Sequence, residues 1–276
     1  MTGTASDRWR GLLEEWAIPQ ELLDAVADSP YGWSTELWQR RTQIAREQGF
    51  ESTTTEVVGS LLGSAGTLLD VGTGTGRASL IHGAAGHPLT AVEKDPGLAA
   101  GFEQRAAEMG VGAVLVEGAW PDVAPKVDVH DVAMCANVVY DVQDIEPFLA
   151  TLSHHGRVGV VVELTVDHPW SGLGPYYRAL HQLERPQGPT YEDFVEVVQE
   201  VCAIRPEVEI WTRPGHAWFE SWDEILDHYG KRLVLPRGRR RELEALLAPH
   251  TEVDGDRLYV GTRERTMVTL WWRNSR

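Results

Sequence analysis

The sequence predicts an α/β protein: a doubly wound, mostly parallel, seven-stranded sheet with an N-terminal helical cap and helical insertions near the C-terminus. Three observations carry this. Between residues 67 and 165, short apolar runs alternate with segments of helical period, the pattern of successive βαβ units. The first run ends in a glycine-rich turn, TLLDVGTGTGRASL (67–80), of the kind that opens the ligand-binding edge of such a sheet. An alternating run at 267–272 supplies a closing strand.

Residues 1–55 read as the helical cap. Leu12, Leu13 and Trp16 recur at helical spacing, as do Leu22, Leu23 and Val26, and residues 33–48 continue with Leu37, Trp38 and Ile44. Ser52 and the threonines after it offer caps for a helix over 56–62, which opens a main domain spanning 56–276. Strands are expected at 68–71, 89–92, 113–116, 129–134 and 158–164, the last almost wholly β-branched, with helices at 77–85, 97–109 and 144–152. After residue 165 the regularity breaks, and residues 166–250 read as a lid or insertion. It holds helices at 191–201, 222–229 and 239–247 and a sixth strand at 207–212. His154 and His155 fall on an expected exposed turn.

Lys and Arg total 25 against 41 Asp and Glu, a formal charge of −16. That balance argues against nucleic acid, which is gripped by neutralising phosphates, and against anionic membranes. The basic run at 237–241 (RGRRR) reads as a solvated helix start. Cys135 and Cys202 stand far apart with no CxxC or Cys/His spacing, so neither a disulfide framework nor a metal site is expected. The N-terminus has no basic and apolar leader pattern, and no apolar run reaches membrane length; the expectation is a soluble, cytoplasmic protein.

The glycine turn carries the functional inference. Asp70 sits at a strand end, followed at alternate positions by Gly72, Gly74 and Gly76. A dinucleotide fingerprint, G-x-G-x-x-G, would need glycine where Arg77 stands. An acid two residues before the first glycine would also repel a pyrophosphate, but suits a cofactor bearing ammonium and sulfonium charges. The second strand ends in AVEKDP (91–96), where Glu93 is placed to accept hydrogen bonds from ribose hydroxyls. Asp95 reads as a helix cap with Pro96 at the first helical position.

DVGTGTG followed by VEKDP resembles the first two motifs of the class I S-adenosylmethionine-dependent methyltransferases, Rossmann-like proteins, and the element order through residue 164 is similar to theirs. The resemblance implies S-adenosylmethionine as cofactor, with S-adenosylhomocysteine as product. It also implies a cofactor site of Asp70, Gly72, Thr73, Gly74, Gly76, Glu93 and Lys94. Many members carry an Asp after the third strand for the adenine amino group. Here the run is VEGAWPDV, with Ala119 at that position. Adenine contact then falls to Glu117, Gly118, Ala119 and Trp120, the last as an aromatic wall. The fourth strand ends in MCANVVYD (134–141), which makes Ala136, Asn137 and Tyr140 candidates for the gap between cofactor and acceptor.

Methyl transfer from a sulfonium relies on holding the nucleophile close and in line, and a general base helps where the acceptor must lose a proton. His168 and Glu163, near the end of the fifth strand, are the base candidates, with Tyr140 beside them. Trp33, Trp170, Tyr176 and Tyr177 are candidates to wall an apolar acceptor pocket, and Trp271 and Trp272 to contribute to a homodimer interface. The expected partner is a small-molecule methyl acceptor. An RNA or protein methyltransferase, a catalytically silent cofactor-binding scaffold and an NAD-dependent oxidoreductase are the alternatives.

Overall fold

The computed structural model describes residues 3–27, 29–31, 51–215 and 218–274. The predicted helix at 33–48, and Trp33 with it, lies outside the described residues. Seven strands form the central sheet in the order β3-β2-β1-β4-β5-β10-β6. They are β1 (Leu68–Val71), β2 (Leu89–Glu93), β3 (Ala113–Glu117), β4 (His130–Ala136), β5 (Gly156–Thr165), β6 (Glu207–Pro214) and β10 (Glu264–Arg273). The first five are parallel, and β10 runs antiparallel to both β5 and β6. β1, β4 and β5 are buried almost throughout because helices cover both faces, which is why they read as largely apolar runs interrupted by few charged residues.

One face packs against α1 (Ala5–Glu14), α6 (Ile145–His155) and α8 (Tyr191–Cys202), with Trp9, Phe148 and Phe194 in that core. The other packs against α3 (Thr53–Leu62) and α5 (Pro96–Glu108), which bring Val58, Leu61 and Phe102 over Leu68, Met134 and Val161. α1 opens on a capping box between Thr4 and Asp7, and its first amides, from Ala5 and Ser6, donate to the Glu200 carboxylate. A carboxylate at a helix N-terminus is favourably placed against the helix dipole.

Trp9 anchors α1 to the main domain, its Nε1 donating to Val142 O at 2.9 Å. Elsewhere the chain departs from its sequence reading. α3 begins at Thr53, capped by Ser52, and so straddles the expected boundary at 55/56. The helix expected at 77–85 shrinks to α4 (Leu80–Ala84), because the turn continues past Gly76. The expected single insertion at 166–250 is two excursions. Residues 166–190 hold α7 (Gly174–His181), which the sequence reading missed; α8 and β6 then rejoin the main layers. Residues 218–263 form the second excursion, with α9 (Trp222–Arg232), α10 (Arg240–Leu247) and a small sheet β7-β9-β8 of Trp218–Phe219, Arg257–Val260 and Thr251–Asp254.

These excursions share a third core of Tyr177, Leu180, Phe219, Ile225, Leu233 and Leu243, joined by Ile18 from the N-terminal segment that also carries α2 (Gln20–Asp24). Tyr177, Trp170 and Tyr176 therefore serve this core, not an open pocket wall. In the basic run, Arg239 pairs with Glu242, and Arg240 with Asp223 and Asp227. His154 and His155 end α6 instead of forming an exposed turn, and His155 is buried. Trp272 lies in the core with its Nε1 donating to Ser153 Oγ at 3.3 Å, and Trp271 packs half-buried against the α3 side. No described helix is long and apolar enough to cross a membrane.

Candidate functional site

Strand alternation and register gather the acidic candidates. Asp70 pairs with Met134 and Ala91, Glu93 with Glu117, and Ala136 with Glu163. With a period of two, these place Asp70, Glu93, Glu117, Ala136 and Glu163 on the α3 face near the carboxyl edge of the parallel strands. A shallow recess lined by Leu61, Ser64, Gly66, Asp131 and Arg157 lies at the opposite, amino edge.

The turn after β1 runs through Gly72, Gly74 and Gly76, all at positive φ. At Gly72 a Cβ would meet Val138 Cγ2 at 2.5 Å, whereas at Gly74 it would meet nothing within 4 Å. Glycine at 72 is thus demanded by packing, while Gly74 presents bare backbone to open space. Thr73 donates through Oγ1 to Asp70 Oδ2 at 2.7 Å. The other oxygen, Asp70 Oδ1, is buried and has no hydrogen-bond partner among the described residues. Burial raises the Asp70 pKa, against the nearby Ser79 and Thr73 hydroxyls, which lower it.

Glu93 closes the same loop from β2. Its Oε2 accepts from Gly74 N–H at 2.8 Å, and its Oε1 accepts from the amides of Lys94 and Asp95 at 2.9 Å each. A carboxylate offers about four acceptor directions, so these three leave about one for a ligand. The Lys94 side chain is exposed. Asp95 caps α5 by accepting from Gly97 and Leu98, with Pro96 at the first position.

After β3, Glu117 and Ala119 are exposed, and Gly118 N–H donates to Glu93 O at 2.9 Å. Trp120 turns inward: its Nε1 donates to Phe148 O at 3.2 Å and its ring meets His155 edge-on at 4.9 Å. It braces α6, and the structure gives it no place as a wall beside the turn. Ala136 is half-buried at the end of β4. Asn137 follows at φ 61, a left-handed conformation that Asn tolerates better than most side chains, and its Nδ2 donates to Glu163 Oε1 at 2.7 Å.

Each of the three base candidates, Glu163, Tyr140 and His168, is engaged within the fold. Glu163 is fully buried, ion-paired to Arg77, 3.9 Å from Arg213 Nη1, and accepts from Thr54 Oγ1 at 2.8 Å. Burial pushes its pKa up, but Arg77 and Arg213 outweigh burial and the net shift is downward. A carboxylate so held is a structural counter-ion and a poor proton acceptor. Tyr140 bonds through its hydroxyl to the backbone and Oγ1 of Thr165, and burial raises its pKa further from neutrality. His168 stacks on Trp16 at 4.1 Å, meets Tyr140 edge-on at 5.5 Å, and accepts at Nδ1 from Trp170 N–H at 3.2 Å. Burial, helped by Arg185, pushes its pKa down to about 3.

That shift, with His82 pushed down to about 4 mainly by burial, has a measurable outcome. Both imidazoles stay neutral in the fold and protonate near 6.5 when unfolded. The unfolded state therefore binds more protons below pH 6.5, and stability falls as pH drops from there towards about 4 and about 3, by up to about 1.4 kcal/mol per pH unit per group. Urea midpoints are expected to fall between pH 7 and pH 5, and less steeply in His168→Phe. Equal slopes in the two proteins would show that His168 is solvated.

Sequence reasoning missed Thr54, Ser79, Arg213 and Arg265, and saw Arg77 only as an obstacle to a dinucleotide. Arg213 and Arg265 lie just beyond the expected ends of their strands, at 207–212 and 267–272. Extending those strands and pairing them antiparallel would have brought the two arginines to one edge.

No family model and no curated protein matches this sequence. Solved structures share its fold. A protein designated a methyltransferase from Bacillus halodurans superposes with a TM-score of 0.53 at 11% identity, over 81% of this chain and 99% of that one. One designated a sarcosine dimethylglycine methyltransferase from Galdieria sulphuraria gives 0.51 at 11% identity over 98% of each chain. Magnesium protoporphyrin IX methyltransferase from Synechocystis, solved with bound S-adenosylhomocysteine, gives 0.50 at 11% identity over 93% of each. At such identity the likeness is one of fold: this chain has the Rossmann-like sheet of the class I methyltransferases.

Proposed function

We propose that this chain, built on that fold, is an S-adenosylmethionine-dependent methyltransferase acting on a small molecule. The observation that carries the reading is the buried, unpartnered Asp70 Oδ1 beside a turn whose Gly74 faces open space. An unsatisfied buried acceptor costs about 1–3 kcal/mol, more when charged. A cationic ligand group would offset this cost, and a pyrophosphate would add to it. The donor set fits the cofactor: Asp70 for the ammonium, the bare backbone of the turn for the methionine portion, and the remaining acceptor direction of Glu93 for a ribose hydroxyl. The Synechocystis neighbour's bound S-adenosylhomocysteine, the demethylated form of that cofactor, supports the same assignment.

When bound, S-adenosylmethionine supplies an electrophilic methyl group on a sulfonium. The chain's own task is positioning, an effect worth up to ~7–11 kcal/mol when a nucleophile is held close and in line. Asn137, fixed by Glu163, and half-buried Ala136 stand at the strand end where an acceptor would be aligned. Glu163, His168 and Tyr140 are each engaged elsewhere, so this reading assigns proton removal to none of them. Arg77, at the position of a third dinucleotide glycine and ion-paired to Glu163, weighs against NAD. The acid partners of Arg239 and Arg240, on a chain of charge −16, weigh against an RNA substrate.

Calorimetric titration with S-adenosylmethionine, S-adenosylhomocysteine and NAD tests the proposal. The first two are expected to bind and NAD not. Glu93→Ala, which removes the acceptor of three loop amides, is expected to weaken both at least about tenfold. Binding of NAD, or of neither sulfur ligand, would overturn the reading.

A further inference from the structure

The carboxyl edge of the sheet is electrically divided. Its β1–β3 side carries Asp70, Glu93 and Glu117, whereas its β5–β10–β6 side carries three arginines around one acid. β6 and β10 set Arg213 and Arg265 directly opposite each other, and the register puts both on the face that holds Glu163. Arg77 reaches the same carboxylate from the glycine turn. Arg213 stands 3.9 Å from it, and Arg265 lies within its electrostatic influence. Among the described residues no other acid forms an ion pair with any of the three.

This arrangement is poor as architecture. Like charges directly opposite on a sheet repel, and Arg213, only 14% exposed at its side chain, leaves its buried Nε without a hydrogen-bond partner. Burial also depresses the Arg213 pKa, to about 9, with Arg77 and Arg265 adding to the effect. One carboxylate against three guanidiniums leaves two positive charges unmatched, in a protein whose net charge is −16. Half-buried Trp211 adjoins them on the same face, its Nε1 tied to Thr269 Oγ1 at 2.9 Å. Cationic forks beside an aromatic ring suit a planar or tetrahedral oxyanion on an organic body.

We infer that Arg213 and Arg265 form a binding site for an anionic group, carboxylate or phosphate, on the methyl acceptor. The word acceptor rests on the methyltransferase reading; the anion site does not. Arg77, already neutralised by Glu163, links this site to the glycine turn, and so would set the distance between the acceptor's anion and its reacting atom.

The test titrates benzoate, phenyl phosphate and neutral benzamide at millimolar concentration, with and without S-adenosylhomocysteine. The proteins are wild type, Arg213→Met and Arg265→Met, with melting temperatures recorded for each. At least one anion is expected to bind while benzamide does not, and each variant is expected to lose about tenfold or more of that affinity. Stronger binding of benzoate marks a carboxylate acceptor; stronger binding of phenyl phosphate marks a phosphorylated one. The melting temperature of Arg265→Met is expected to hold or rise, since a like-charge pair is relieved; a merely structural arginine would lower it. No anion binding to wild type, equal binding of benzamide, or undiminished binding in both variants overturns the inference. Failure of S-adenosylhomocysteine alone, with the anions behaving as expected, overturns only the cofactor assignment. Where a variant does not fold, the anion–amide comparison on wild type still decides.

Discussion

Replacing Glu163 by glutamine is expected to cost about 3–5 kcal/mol of folding stability, the usual penalty for removing one partner of a buried ion pair. Glutamine keeps the shape and can still accept from Thr54 and Asn137, so the loss reports charge and not volume. It leaves Arg77, Arg213 and Arg265 together with no counter-ion. The double variant Glu163→Gln/Arg213→Met is expected to recover part of the loss, because one of the three unmatched cations goes too; a double-mutant cycle measures the coupling. Glu163 also predicts a pH dependence. Its folded pKa is lowered, burial being outweighed by Arg77 and Arg213. Its contribution is therefore complete above the unfolded value of about 4.3 and is lost as pH falls through the folded value. Urea unfolding at pH 7 gives the first number, and a change below about 0.5 kcal/mol would mean that the cluster is solvated and its charges weakly coupled.

The central sheet was legible because its information is local. The five parallel strands are short, largely apolar runs between turn signals, and burial on both faces makes β4 and β5 stand out. The glycine turn was legible for the same reason: all three glycines take a backbone conformation that side chains resist. What escaped depends on pairing between distant segments. The three-stranded sheet is built of strands of two to four residues, with Trp218 opposite Tyr259, too short for any periodicity to register. Trp120 faced two destinations that sequence could not separate, and its inward turn depends on Phe148 and His155, 28 and 35 positions away. Glu163 is legible as a strand-end acid. Its partners are not, because Thr54, Arg77 and Arg213 reach it from three separate parts of the chain.

Asp70→Asn is expected to do two opposite things: stabilise the fold and remove cofactor binding. The folded pKa of Asp70 is raised by burial, so the native state binds more protons than the unfolded one from the unfolded value near 3.9 up to the folded value. Its contribution to stability is fully present below the unfolded value and is lost as pH rises through the folded one. At neutral pH the site thus bears the cost of confining an acid under a turn, with Oδ1 unpartnered. Asparagine is neutral at every pH and still accepts from Thr73. The melting temperature is expected to rise by about 2–4 °C for each kcal/mol relieved. S-Adenosylmethionine affinity is expected to fall at least about thirtyfold, the equivalent of about 2 kcal/mol for losing one member of a buried charge pair. Such opposed effects mark a residue kept for its ligand at the expense of stability. A variant that melts lower and still binds would make Asp70 an anchor of the glycine turn, and would shift the weight of cofactor recognition to Glu93.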